Sequence, residues 1–92
     1  MKSKNDLKIT GILVADVLVS PERRYGRFTL AHNFGGGIPT LYLSCLIPGP
    51  VIDNVLSFRL KKGDTVAVRA YLRPSRDGVE AVIKKIEVKE SD

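Results

Sequence analysis

Pro48-Gly49-Pro50-Val51-Ile52-Asp53-Asn54-Val55-Leu56-Ser57-Phe58-Arg59-Leu60-Lys61-Lys62-Gly63-Asp64 is the stretch on which the fold turns. Val51, Ile52, Val55, Leu56, Arg59 and Leu60 recur at helical spacing. Pro50 suits a first helical turn, where its missing N–H costs nothing. Lys61, Lys62 and Gly63 suit a helix C-terminus, with cations near the negative dipole end and glycine just past it. Pro48-Gly49-Pro50 also ends whatever precedes it. The stretch therefore reads as one short helix, and everything on either side of it has the period of a strand.

Downstream, Asp64 opens a strand with Val66, Val68, Ala70 and Leu72 on one face and Ala67, Arg69, Tyr71 and Arg73 on the other. Pro74-Ser75-Arg76-Asp77-Gly78 is a tight turn with an Asp-Gly signal. Val79 to Val88 is a further strand, whose alternation slips at Lys84 and Lys85, so a bulge or a frayed end is expected there. Upstream, Thr40 to Ile47 alternates, with Leu41, Leu43, Cys45 and Ile47 facing inward and Thr40, Tyr42, Ser44 and Leu46 outward. Before it lie the hairpin loop Phe34-Gly35-Gly36-Gly37-Ile38-Pro39 and the strand Gly26 to Asn33, with Phe28, Leu30 and His32 on one face. Leu7 to Val19 reads as one long strand in which Gly11 marks a bulge or bend, letting the strand serve both halves of a small barrel. The turn Ser20-Pro21-Glu22-Arg23-Arg24 follows it. Three strands, a helix and two strands predict an all-β fold: a five-stranded OB-fold Greek-key barrel with one short helix between strands three and four.

The chain has 92 residues, enough for one small core. The expected organisation is a flexible N-terminus over 1–6, one folded domain over 7–88 and a short C-terminal tail over 89–92. Fifteen Lys and Arg against ten Asp and Glu leave a net charge of +5, which favours an anionic partner. A single cysteine, Cys45, excludes an internal disulfide and fits a reduced, cytoplasmic setting. The apolar runs are too short and too interrupted by charge for a membrane helix, and residues 1–6 do not resemble a signal peptide.

Several phrases resemble bacterial single-stranded DNA-binding proteins and their primosomal replication relatives. Ile9-Thr10-Gly11-Ile12-Leu13, then Ser20-Pro21-Glu22-Arg23-Arg24-Tyr25, is similar to the family's first strand and the turn after it. Phe28-Thr29-Leu30-Ala31-His32-Asn33 is similar to its second strand. Asn54-Val55, Phe58 and Leu60-Lys61-Lys62-Gly63-Asp64, followed by Val66, Val68 and Leu72, are similar to its helix end and fourth strand. The resemblance covers residues 7–88. It implies a non-enzymatic protein of replication, recombination or repair that binds single-stranded DNA and forms a homodimer or homotetramer, with replication or primosome proteins as further partners. The chain departs from the family pattern in having no Trp, in Pro48 where an aromatic is common, and in the clipped hairpin Arg73 to Gly78. It also closes on Lys89-Glu90-Ser91-Asp92 rather than on a long acidic-tipped tail.

Binding a single strand takes flat rings for bases and cations for phosphates. Tyr42 and Tyr71 lie on the polar sides of their strands, where a ring has no core to fill, and Phe34 opens the glycine loop. Arg69 and Arg73 share a face with Tyr71, and Arg27 and Arg76 extend the cationic set. The candidate nucleic-acid-binding residues are therefore Arg27, Phe34, Tyr42, Arg69, Tyr71, Arg73 and Arg76. Gly35-Gly36-Gly37 is not a phosphate cradle, because no Lys-Ser/Thr and no helix follow it. His32 has no second ligand at metal spacing, and Asp16, Asp53, Asp64 and Asp77 form no acid–base pair, so no metal, cofactor or catalytic residue is expected. The alternative is a protein–protein adaptor in a replication or mobile-element complex, which the scarcity of aromatics favours.

Overall fold

The computed structural model describes residues 5–89. In chain order it contains β1 (Leu7–Leu13), β2 (Leu18–Val19), β3 (Tyr25–His32), β4 (Leu41–Pro48), α1 (Gly49–Ser57), β5 (Thr65–Ser75) and β6 (Gly78–Val88). The sheet order is β1-β5-β6-β4-β3-β2, and β1 also pairs with β3. Five strands therefore close into a barrel, and β2 adds two residues beside β3. The β4–β6 pair is parallel and the others are antiparallel. The expected all-β barrel with one helix before its last two strands is the fold the chain adopts.

Alternation builds the interior. Phe28 and Leu30 from β3, Leu43, Cys45 and Ile47 from β4, Val66, Val68 and Ala70 from β5, and Ala81, Ile83 and Ile86 from β6 are buried in one cluster. Ile52 and Val55 of α1 join it, so the helix plugs the barrel with one apolar stripe. Burial pushes the Cys45 thiol up to about 12, which makes it an inert filler. The slip at Lys84 and Lys85 is a bulge. Arg69 opposes Lys85 while the next residue, Ala70, opposes Ile83, so Lys84 is the extra residue.

Closure depends on β1 changing partner. It pairs with β5 from Leu7 to Ile12 and with β3 at Ile12 and Leu13. Where it swings across, a Cβ on Gly11 would stand 2.5 Å from the Ala31 carbonyl oxygen and 2.8 Å from Leu30 Cγ. Glycine is required here by backbone contact. On its side away from β5, the stretch from Leu7 to Gly11 has no strand partner among the described residues, although His32 Nδ1 contacts the Thr10 carbonyl.

Two expectations are corrected. The long strand Leu7 to Val19 divides after Leu13, where the turn before β5 replaces the β5 strand as the neighbour of β1 on one side. Leu13 N–H donates to the Asp64 carbonyl at 3.0 Å, and Gly63 N–H donates to the Leu13 carbonyl at 2.8 Å. Asp16 then accepts from the Lys62 N–H at 2.8 Å, and pairing resumes only at Leu18. The helix stops at Ser57 instead of running through Leu60 to a cap at Lys61-Lys62-Gly63. Ser57 Oγ donates to the Asn54 carbonyl at 2.6 Å, and Arg59, at φ +52, turns the chain away from the helix axis. Lys61 to Asp64 is a separate turn closed by the Asp64 carboxylate on the Lys61 N–H at 3.0 Å, and Gly63 serves it at φ +95.

Candidate nucleic-acid interface

The outer side of β3, β4 and β6 meets the β5–β6 hairpin in an open groove of about 620 Å³. Arg27, Tyr42, Ser44, Arg73, Arg76 and Glu80 are among the residues that line it. All but Arg76 are placed by strand parity. Tyr42 and Ser44 are outward on β4, where their neighbours Leu43 and Cys45 fill the core. Tyr42 is 66% exposed and is the only aromatic among the lining residues. Arg27 is outward on β3 and Arg73 outward on β5. Arg76 stands at the tip of the hairpin, whose strands pair as far as Ser75 and Gly78. The strands thus run further than the expected turn from Pro74, and only Arg76 and Asp77 form the loop.

Glu80 is the residue the sequence reading missed. It is outward on β6, directly opposite Arg73, yet its side chain is only 5% exposed. Its carboxylate accepts from Arg73 Nε at 2.6 Å and from Arg27 Nη1 at 3.2 Å. The hydrogen bond from Arg73 holds the Glu80 carboxyl below the usual range, against the opposing effect of burial; the charges of both arginines add to the lowering. On the same outer side, Leu46 of β4 and Val82 of β6 oppose each other and are buried although they face outward. The groove thus has a buried carboxylate bridging two arginines and one projecting ring.

The other candidates stand apart. Phe34 is 53% exposed and packs edge-on against His32, with ring centroids 4.6 Å apart, in the β3–β4 hairpin. Gly35, Gly36 and Gly37 all have positive φ there, which explains three glycines in a row without any phosphate cradle. Tyr71 and Arg69 lie further along β5 and do not line the groove. Lys84 Nζ sits 5.7 Å from the centre of the Tyr71 ring, and Arg69 pairs with Asp6 at 3.4 Å. Among the described residues no helix is long and apolar enough to cross a membrane. No group of three or more His, Cys, Asp or Glu that could hold a metal ion occurs among them either.

Solved structures share this arrangement of strands and helix almost end to end. The barrel is an OB-fold. The mitochondrial single-stranded DNA-binding protein Rim1 of S. cerevisiae superposes with a TM-score of 0.77 at 18% identity, over 99% of this chain and 100% of that one. The second single-stranded DNA-binding protein of Mycobacterium smegmatis gives 0.75 at 20% identity, over 94% of this chain and 89% of that one. The N-terminal domain of PriB from Thermoanaerobacter tencongensis, described as dimeric, gives 0.75 at 17% identity, over 95% and 98%. No protein-family model and no curated protein sequence matches the chain, so the likeness is carried by structure. These neighbours are of the kind that the sequence phrases resemble.

Proposed function

We propose that the chain binds single-stranded DNA in the groove between β4 and the β5–β6 hairpin, without catalysis, in the service of replication, recombination or repair. The observation that carries this reading is the exposed Tyr42 ring set among Arg27, Arg73 and Arg76 in one OB-fold groove. An outward ring with no core to fill offers a face to any base, and the arginines offer donors to the phosphates beside it. The fold's usual oligonucleotide surface lies on the same strands, and two of the neighbours named above, from yeast mitochondria and Mycobacterium smegmatis, are single-stranded DNA-binding proteins. Phe34, Tyr71 and Arg69 belong to the proposed path of a longer strand leaving the groove rather than to its centre.

Arg76 separates this reading from a bland basic surface. Arg27 and Arg73 are both tied to Glu80, whereas Arg76 has no ion-pair partner among the described residues. Arg76→Ala is therefore expected to weaken oligo-dT binding and to flatten the plot of log affinity against log salt by about 0.7, the effect of one phosphate contact. Fluorescence anisotropy with labelled oligo-dT at four or five salt concentrations measures this. An unchanged slope would remove the hairpin tip from the interface.

A further inference from the structure

Glu80 has a place in the groove that phosphate binding alone does not explain. In charge, a site built for a polyanion loses by a carboxylate between two of its arginines. Stability does not require it either, since a buried ion pair is often no better than apolar packing of the same volume. Leu46 and Val82 show that apolar residues are accommodated on this outer face. The carboxylate is nonetheless enclosed, and both of its oxygens are used, one by each arginine.

We propose that Glu80 is an internal anion that holds the Arg27–Arg73 pair and limits how much phosphate charge the groove can neutralise. The inference rests on the reading of the groove as a phosphate site. The geometry supports a partial block rather than a closed one. Arg73 is engaged through Nε, which leaves its two terminal nitrogens free, and Arg27 through one terminal nitrogen, which leaves Nε and the other. The two side chains remain 47% and 50% exposed. A phosphate can therefore reach both guanidinium groups, but it meets a cluster of net charge +1, two arginines less one glutamate, instead of +2. The ionic part of binding is lowered, and stacking on Tyr42 carries a larger share. A duplex, which offers phosphates but no free base faces, loses most from this arrangement. Glu80 is then a specificity-determining residue that acts through the arginines it positions.

Glu80→Gln keeps the size and one acceptor while removing the charge. The folded variant is expected to bind oligo-dT more tightly at low salt, on the order of tenfold for one charge removed beside a phosphate. Its salt slope should steepen by about 0.7, and its preference for single strands over duplex should narrow. Glu80→Met, unbranched and close in volume, should move all three quantities the same way and serves if the Gln variant folds poorly. Inorganic tripolyphosphate, titrated in parallel, has no bases and reads the arginine pair alone. Tighter tripolyphosphate binding in the variants supports the role of Glu80 even if the parent fails to bind oligo-dT, which would sink the single-strand reading instead. Unchanged or weaker tripolyphosphate binding in a folded variant overturns the proposal, and leaves the single-strand reading intact when the parent binds oligo-dT.

Discussion

Gly11→Ala loses about 3 kcal/mol of folding stability, at the upper end of what an overpacked methyl costs. The added Cβ would lie 2.5 Å from the Ala31 carbonyl oxygen. That oxygen belongs to the β3 backbone beside Ile12, where β1 leaves β5 for β3, so it cannot swing aside as a side chain can. Relief requires the two strands to part at the seam that closes the barrel. Gly36→Ala is the control. Its Cβ would meet nothing within 4 Å, but its φ of +58 is left-handed, so strain alone should cost about 1 kcal/mol. Urea unfolding of the two variants measures both effects. If Gly11→Ala unfolds at the same midpoint as the parent, β1 does not cross β3 as described.

Tyr42→Ala weakens oligo-dT binding by about 1–3 kcal/mol, the contribution of one base stacked on one ring. In affinity this spans about fivefold to 150-fold. Folding should change little, because a ring 66% exposed supports little of the core. Tyr42→Phe keeps the π-face and should bind nearly as tightly as the parent, which separates stacking from any hydrogen bond by the hydroxyl. Anisotropy titrations beside thermal melts read affinity and stability independently. If Tyr42→Ala folds normally and binds oligo-dT like the parent, the ring belongs to a protein interface and the adaptor alternative takes the lead.

The barrel was legible in the sequence because the middles of β3, β4 and β5 alternate cleanly. Phe28 and Leu30, Leu43, Cys45 and Ile47, and Val66, Val68 and Ala70 all point where their spacing places them. The bulge was legible because Lys84 and Lys85 interrupt that spacing. The split of β1 from β2 was not, since Val14 to Val19 is as apolar as a strand. What ends the strand is Asp16 reaching Lys62, forty-six positions away, and no local pattern reports it. The helix end was misread for a related reason: Lys61, Lys62 and Gly63 suit a helix cap and a free turn equally well.

Four candidate residues, Arg27, Tyr42, Arg73 and Arg76, meet in the groove, the first three by outward parity on their strands and Arg76 from the hairpin loop beside them. Phe34, Arg69 and Tyr71 share the chemistry but not the place. Glu80 was not legible. A two-residue Asp77-Gly78 loop would set Ser75 opposite Glu80. The loop is instead Arg76-Asp77, which shifts the register and brings Arg73 opposite Glu80. The reach of Arg27 to the same carboxylate depends on the parallel β4–β6 contact, which only the folded barrel reveals.

The central claim is that the groove takes up a single strand by its bases as well as its phosphates. Its most direct test is one titration of the full chain with labelled oligo-dT, competed by unlabelled duplex of equal length, repeated at rising salt. Tighter binding to the single strand is predicted at every salt concentration, with an advantage that grows as salt screens the ionic share and leaves stacking. Duplex that competes as well as unlabelled oligo-dT across the whole range would contradict it, because the groove would then be reading charge alone.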